Sequence, residues 1–458
     1  LNIVLLSGGS GKRLWPLSND TRSKQFLKVL KDEEGHQISM VQRVWKQLKN
    51  VKLDQHSVIA TGKSQVDMID NQLGREIDVV VEPERRDTFP AIALAAVYLY
   101  SVRGVSLDEV VAVLPVDSYV EDGFFKKVKE MESALNDSEA NIALLGVKPT
   151  YPSEKYGYIV PEKLTGDSYS VVSHFKEKPK QKEASQLIKE HALWNCGVVA
   201  FKLDYMITWL TEAGLPISYD SLSLNYTKLE KISFDYAVLE QEKNVITLSY
   251  QGTWKDLGTW NTLTEEMSSS LVGKGIIGDD CANTHLINEL DIPVAVMGMK
   301  DTLVAASPDG ILVSSKQASP GVKELTAAFE GRPMYEERRW GWYRVIDYSK
   351  LADGNEVLTK RIGIASGKSI SYQVHHRRSE VWTIIQGEGE CVLNDLLFPV
   401  KAGDVLQIPL GAKHAIRANS DLEFIEVQTG SELIEEDIVR IRMTWEEVEQ
   451  LLIAKAHS

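Results

Sequence analysis

Short runs of β-branched and aliphatic residues punctuate the first quarter of the chain: Ile3-Val4-Leu5-Leu6, Ser57-Val58-Ile59-Ala60, Val79-Val80-Val81 and Val110-Val111-Ala112-Val113-Leu114. Amphipathic segments of helical length separate them, such as Ala91 to Tyr100. Continuous apolar runs joined by crossover-length segments predict buried parallel strands with helices on both faces, an α/β domain with a Rossmann-like mixed sheet. Further strands are expected at Asn141 to Val147 and Val198 to Lys202, with helices at Phe124 to Leu135 and Lys180 to Glu190. This layout defines a domain over residues 1–266. From Val272 to Ser319 the runs shorten and Gly, Asp and Asn become frequent, which predicts a small β-rich linker unit over 267–335, solenoid-like and of the left-handed β-helix kind. A charged, aromatic segment from Glu330 to Trp342 reads as a connector. Strands at Glu356 to Ile364, Ser369 to Val374, Val381 to Gln386, Glu390 to Leu393, Asp404 to Ile408 and Leu422 to Gln428 then predict an all-β jelly roll over 336–458, closed by a helix from Thr444 to Ala456.

Composition narrows the classes. A chain of 458 residues with 43% apolar and 25% charged residues is an ordinary globular protein of two or three domains. Its net charge of −14 gives it no sequence-wide attraction to nucleic-acid phosphates. The three cysteines, Cys196, Cys281 and Cys391, form no C-x-x-C pair, so neither a disulfide framework nor a cysteine-based zinc site is expected. The apolar start, Leu1 to Leu6, is too short for a signal peptide, and no run reaches the roughly 18 apolar residues of a membrane span. A soluble cytoplasmic protein, bound to neither nucleic acid nor membrane, is expected.

The first strand runs directly into Ser7-Gly8-Gly9-Ser10-Gly11-Lys12-Arg13. Glycines there let backbone N–H groups approach an anion, and Lys12 and Arg13 add positive charge, so Gly8, Gly9, Gly11, Lys12 and Arg13 are candidate nucleotide-phosphate ligands. The loop is not a Walker A motif, because Arg13 stands where Ser or Thr is required, and it lacks the third glycine of the dinucleotide fingerprint.

Continuing through Leu14-Trp15-Pro16-Leu17-Ser18 and Arg22-Ser23-Lys24-Gln25-Phe26-Leu27, this run resembles the signature of the sugar-1-phosphate nucleotidyltransferases, specifically the bacterial mannose-1-phosphate guanylyltransferases. Further blocks follow in the family's order: Glu82-Pro83 with Arg86-Asp87-Thr88 and Pro90, Leu114-Pro115-Val116-Asp117, Tyr156-Gly157-Tyr158-Ile159, Phe175-Lys176-Glu177-Lys178-Pro179, Trp194-Asn195-Cys196-Gly197, Phe234-Asp235-Tyr236-Ala237-Val238 and Trp254-Lys255-Asp256-Leu257-Gly258-Thr259-Trp260. The resemblance implies an in-line attack of mannose 1-phosphate on the α-phosphorus of GTP, yielding GDP-mannose and pyrophosphate. It assigns Arg13 and Lys24 to the triphosphate and its developing charge, and Asp117 and Asp256 to a shared Mg²⁺ ion. It places Lys178 at the sugar phosphate, Tyr158, Glu177, Asn195 and Gly197 along the sugar, and Glu82, Thr88 and Pro90 at the guanine. Cys196 is read as packing.

The last part of the chain carries Gly367, Gln373-Val374-His375, Glu380 and Gly387, then Gly403, Pro409-Leu410-Gly411, His414 and Asn419. These spacings resemble both cupin motifs, with Gln373 in place of the usual first His. Residues 373 and 375 share one strand face, so Gln373, His375, Glu380 and His414 are candidate ligands for Zn²⁺, Mn²⁺, Fe²⁺ or Co²⁺. With Arg339-Trp340-Gly341-Trp342-Tyr343 ahead of it, the domain resembles the type II phosphomannose isomerase half of the long, bifunctional guanylyltransferases. It departs from that family at Val381 (usually His), at Ala415 (usually Arg) and at the ending Arg442-Met443-Thr444-Trp445. Those departures put its mannose-6-phosphate isomerase activity in doubt, since they fall where phosphate and proton partners are expected, with Arg377, Arg378 and Arg417 as the cations that could compensate. Rival readings are transfer to another sugar 1-phosphate such as a heptose 1-phosphate, full bifunctionality, or a nucleotide-sensing binding protein. A homo-oligomer is compatible with each.

Overall fold

The computed structural model describes residues 1–9, 11–19, 21–162, 168–329, 331–434 and 437–456. Ser10 of the glycine loop and Glu330 at the start of the expected connector lie outside them. The chain divides into two compact units. One comprises Leu1–Ile287, Val294–Val304 and Val313–Ala327, and the other Asn288–Pro293, Ala305–Leu312 and Ala328–Ser458, so the stretch 267–335 is shared between them.

The amino-terminal unit is built on a nine-stranded sheet whose strands, in spatial order, begin at residues 79, 57, 2, 110, 193, 142, 245, 170 and 158. The first four are parallel, as their unbroken apolar runs predict. Alternation along Asn2–Leu6 shows why both faces must be apolar. Ile3 and Leu5 join a core with Val41, Val44, Trp45 and Leu48 of the helix Met40–Asn50, while Val4 joins a second core with Phe89 to Val97 of the helix Thr88–Ser101. Strand Leu193–Lys202 enters antiparallel between Val110–Pro115 and Ile142–Val147. Its register with Ile142–Val147 shifts between Asn195 and Val198, a bulge that holds Gly197 at φ +76°. The sheet is therefore mixed.

Two local features carry side chains beyond the sheet's edge. The ribbon Trp254–Asp256 pairs antiparallel with Ser118–Val120, setting Asp256 opposite Ser118 and hence beside Asp117. The turn Gly11–Leu14 is braced by Ser18, whose hydroxyl donates to the Gly11 carbonyl and accepts from the Leu14 N–H, and the short helix Val322–Leu325 packs on it. Between residues 275 and 300, strands Gly275–Ile277 and Val294–Val296 pair in parallel, followed by a parallel bridge from Ala282 to Lys300.

The carboxy-terminal unit folds as two antiparallel sheets, with strands beginning at 335, 341, 356, 422, 378 and 405 in one and at 396, 388, 414, 372 and 439 in the other. That is the double-sheet jelly roll that the strand spacing predicts. The segment from 331 to 342, expected as a connector, is instead structural: Tyr335–Arg338 and Gly341–Lys350 form a hairpin at the edge of the first sheet. Its charge obscured the pattern, because Glu336 and Arg338 pair with each other and the Arg338 guanidinium lies 5.7 Å from the centre of the Tyr343 ring. Tyr343 and Val345 alternate inward into the jelly-roll core.

A methyl group on Gly11 would fall 2.0 Å from the Asn19 carbonyl oxygen, so no side chain fits without moving the loop's backbone. Gly11→Ala is accordingly expected to lower unfolding stability by about 1–3 kcal/mol, the range for forcing extra volume into a packed site. An unchanged denaturation midpoint would contradict this tight closure.

Candidate functional site

At the ends of the parallel strands of the amino-terminal unit, Lys24 bridges two carboxylates. Its Nζ lies 2.6 Å from Asp117 Oδ2 and 3.4 Å from Asp256 Oδ1. Removal from water opposes charge on Lys24, but Asp117 and then Asp256 outweigh it and raise the ammonium's pKa. Desolvation likewise opposes charge on Asp117, and Lys24, with help from Arg13, holds its carboxyl below the usual range. Gly258 leaves the Asp256 carboxylate this position, since a Cβ there would sit 2.8 Å from Oδ1 and push it aside. The Trp260 indole N–H donates to the Trp15 carbonyl at 3.0 Å, tying the Asp256 segment to the glycine-loop segment. Two carboxylates against one ammonium leave a net negative charge within reach of a single cation, a donor set of hard oxygens that fits Mg²⁺.

The Tyr156 ring contacts those of Trp194 and Trp254 at centroid distances of 4.9 and 5.3 Å, and Trp194 directly precedes Asn195 of a second cluster. Glu177 is buried and pairs with Lys178, which adopts φ 44°. Gly157 allows this approach, as a Cβ there would be 2.5 Å from Glu177 Oε2. Asn195 donates from Nδ2 to Asp235 Oδ1 at 2.9 Å and accepts from the Gly197 N–H at 3.0 Å. Glu177 and Lys178 act electrostatically on Asp235, which links them to Asn195 and Gly197 in one group. Asp235 joins it although the sequence reading gave that residue no role; its one signal was an acid inside the block Phe234 to Val238. Tyr158 does not join. Its ring is fully buried, with its hydroxyl accepting from the Ser153 N–H and donating to the Ser153 carbonyl, so it is a satisfied core residue and not a sugar-lining one.

On the expected base side, Glu82 Oε1 would lie 3.7 Å from a Cβ on Gly8, which puts the carboxyl against the glycine loop. Burial raises its pKa, opposed by the Tyr226 hydroxyl, which donates to Oε2 at 2.8 Å. Tyr226 is a partner that sequence reasoning missed. The other expected base contacts have structural duties: Thr88 Oγ1 accepts from the Phe234 N–H at 2.9 Å, and Pro90 is buried in its helix. Arg13 is exposed and Lys12 half-buried beside Gly11. Cys196 is buried, its thiol pushed up to about 12 by desolvation and donating to the Leu145 carbonyl, which fits packing.

In the carboxy-terminal unit His375, Glu380 and His414 present buried ligand atoms within 4.8 Å of one another. His375 Nε2 is 3.2 Å from Glu380 Oε1 and 3.3 Å from Gln373 Nε2, so all four expected ligands converge. The His414 Nδ1 side faces the Ala412 carbonyl at 3.0 Å, which directs the Nε2 lone pair inward, and that buried Nε2 has no hydrogen-bond partner. Burial pushes both histidines toward the neutral form; desolvation opposes charge on Glu380 as well, and the Arg378 guanidinium, donating to its Oε1 at 3.0 Å, is the permanent cation that favours its ionised form. Neutral imidazoles and an ionised carboxylate are the states a divalent metal requires, so the set fits one.

The departures at Val381 and Ala415 do not touch this pocket. Strand alternation turns Val381 outward between the buried Glu380 and Trp382, and Ala415 packs with Tyr372, Val392, Trp445 and Val448 on the face opposite His414. The expectation that they remove phosphate and proton partners from the pocket is therefore corrected. Nearby, a cavity of about 220 Å³ is lined by Arg332, Lys360 and Arg378 together with Glu336, Tyr343 and Gln428.

Comparison with known proteins places these sites in context. Residues 2–271 match the Nucleotidyl transferase family and residues 332–443 the Mannose-6-phosphate isomerase C-terminal family. A xanthan biosynthesis protein, XanB, of Xanthomonas campestris pv. campestris (strain B100) is 30% identical, covering 96% of this chain and 98% of its own. A putative mannose-1-phosphate guanylyltransferase of Vibrio cholerae serotype O1 is also 30% identical, covering 95% and 98%. The crystal structure of a mannose-1-phosphate geranyltransferase from Thermus thermophilus superposes with a TM-score of 0.58 at 27% identity, over 71% of this chain and 98% of that one. No helix among the described residues is long and apolar enough to cross a membrane.

Two outcomes follow from the geometry. In Lys24→Met the Asp117 carboxyl is expected to titrate at higher pH than in the unaltered protein, because its nearest cation is gone; carboxyl-carbon NMR reads this, and an unmoved titration would refute the bridge. Equilibrium dialysis against Zn²⁺ or Mn²⁺ is expected to give a bound ion that is lost in His414→Ala and Glu380→Gln but kept in Asp256→Asn, which marks it as the jelly roll's.

Proposed function

Because the chain belongs to the nucleotidyl transferase family, we propose that it is a mannose-1-phosphate guanylyltransferase, moving GMP from GTP to α-D-mannose 1-phosphate with release of pyrophosphate. The observation that carries this reading is the Lys24 bridge between Asp117 and Asp256 beside the glycine loop, joined to relatives that bear that activity in their names.

In the reaction a phosphate oxygen of the sugar attacks the α-phosphorus of GTP; the new P–O bond forms as the bond to the pyrophosphate oxygen breaks. The attacking phosphate is already ionised near neutral pH, so the chain need supply no general base. Its task is to hold two polyanions together in line. Backbone N–H groups of Gly8, Gly9 and Gly11 cradle the triphosphate, with Lys12 and Arg13 against its charge. Lys24 meets the charge that develops on the α-phosphoryl oxygens, and Lys178 grips the sugar's phosphate. Glu82 keeps one carboxylate oxygen for the guanine N1–H and N2–H₂ donors, and Glu177 and Asn195 meet sugar hydroxyls. When bound, Mg²⁺ held by Asp117 and Asp256 would neutralise the α-phosphate and template the attack. The pool of GTP and three free cysteines suit a cytoplasmic enzyme.

A second activity is favoured by one observation. The cationic cavity of Arg332, Lys360 and Arg378 beside Gln373, His375, Glu380 and His414 supports a metal-dependent isomerase acting on mannose 6-phosphate, with Zn²⁺, Mn²⁺, Co²⁺ or Fe²⁺ as the ion those four residues would hold.

Pyrophosphate release from a panel of nucleoside triphosphates and sugar 1-phosphates, mannose and heptose 1-phosphates included, tests the proposal; preference for another pair overturns the choice of substrates. Asp256→Asn is expected to abolish transfer even at high Mg²⁺. Lys178→Ala is expected to raise the KM for mannose 1-phosphate by about tenfold or more, the worth of one charge-assisted hydrogen bond, while leaving the KM for GTP nearly unchanged. Equal effects on both would contradict the placement of Lys178.

A further inference from the structure

Asp235 begins the short π-helix Asp235–Leu239, a local widening that recurs at functional positions. The residue before it, Phe234, donates its N–H to Thr88 Oγ1, and the Ile232 carbonyl accepts from the Phe89 N–H. The segment is thus pinned to the start of the helix Thr88–Ser101. From there the Asp235 carboxylate reaches Asn195 Nδ2, and through that amide fixes the Asn195 carbonyl oxygen on the Gly197 N–H at the strand bulge. Glu177, Lys178 and Asp87 are the charged groups that bear on it.

We propose that Asp235 is a positioning and specificity residue for the sugar: it orients the Asn195 amide and, with Glu177, gives the sugar end of the site two carboxylate acceptors. Such a site takes a neutral hexose 1-phosphate through its hydroxyl donors and rejects a sugar that carries its own carboxylate. The inference rests on the guanylyltransferase reading for the reaction, though not for its choice of sugar or base.

The local electrostatics agree with a site kept for function at a cost in stability. Burial first, and then Glu177, push the Asp235 carboxyl up to about 6, against an ordinary 3.8, with Lys178 only partly offsetting them. A folded-state pKa above the unfolded one means that the folded protein binds more protons between the two values. Stability therefore falls as pH rises through that window, and at pH 8 the ionised group destabilises the fold. A carboxylate held ionised by a dominant cation, as Asp117 is by Lys24, would do the reverse.

The test uses the full chain and the variants Asp235→Asn and Asp235→Ala, assayed with mannose 1-phosphate and glucose 1-phosphate and analysed with whichever the unaltered protein uses better. Failure of the mannose or guanine assignment then changes the substrate without spoiling the comparison. Asp235→Asn keeps an oxygen for Asn195 but loses the charge; Asp235→Ala loses both. The KM for the sugar phosphate is expected to rise about tenfold in Asp235→Ala and less in Asp235→Asn, with the KM for the nucleoside triphosphate the unaltered protein uses unchanged. In the unaltered protein that KM should rise as pH falls through about 6 relative to Asp235→Asn on the same substrate, which cancels the substrate's own titration. At pH 8 the thermal midpoint of Asp235→Asn should be higher than that of the unaltered protein. Equal losses toward both substrates, a lowered midpoint, or a sugar KM within about twofold in both variants overturns the proposal.

Discussion

Two carboxylates facing one ammonium leave a negative charge uncompensated, and the amino-terminal unit is arranged around that imbalance. Asp117 lies just past the apolar parallel strand Val110–Pro115, and Asp256 belongs to a ribbon paired with the residues just after it. The ribbon's register brings the two carboxylates together, and Lys24 between them offsets the repulsion of like charges in a partly desolvated cleft. Lys24 is in turn fixed by its own turn, Lys24–Phe26, whose Phe26 is fully buried against the first core. The ion pair is therefore held by packing, and its excess charge is what makes the cleft receptive to a divalent cation.

The same unit handles its second carboxylate group in the opposite way. Around Asp117 a cation outweighs burial and the acid is held ionised; around Asp235 burial, and then a like charge, dominate and the acid is driven toward its protonated form. Asn195 can satisfy one oxygen of Asp235 but cannot neutralise it. Glycines appear where these groups crowd the backbone. Gly157 and Gly258 each leave room for a carboxylate that a Cβ would displace, so their value lies in what they admit and not in turn conformation.

Legibility in the sequence followed burial on both faces. The parallel strands were readable because both sides of the sheet are covered, leaving unbroken β-branched runs. Strand Ser170–Lys176 was not, because Ser170, Val171, Ser173 and His174 are exposed or half-exposed and its text resembles a loop. Site residues read from motif blocks came together where the block's polar atoms face the cleft, as with Lys24, Asp117, Asp256, Glu177 and Asn195. Tyr158 shows the limit: its hydroxyl serves Ser153, and nothing in the spelling Tyr-Gly-Tyr distinguishes a packed phenol from a ligand. Tyr226 and Asp235 act across long separations in sequence, on Glu82 and Asn195, and such pairings have no local pattern.

In the jelly roll the motif text and the strand geometry make different statements, and the geometry decides. A residue adjacent in sequence to a metal ligand on a strand necessarily points to the other side of the sheet. Val381 and Ala415 therefore measure the exterior and the helix-packed face, and their change from the family's usual residues is a change in what surrounds the barrel. Groups that can reach into the pocket must lie an even number of positions from a ligand or on a facing strand. Arg378, two residues before Glu380, and Gln428, on the neighbouring strand, satisfy that condition, and both donate to Glu380 Oε1 at 3.0 and 3.2 Å. The pocket thus joins the ligands read from the motif spacing to Arg378, one of the three arginines expected as substitutes, and to Gln428, which no motif spelling singled out.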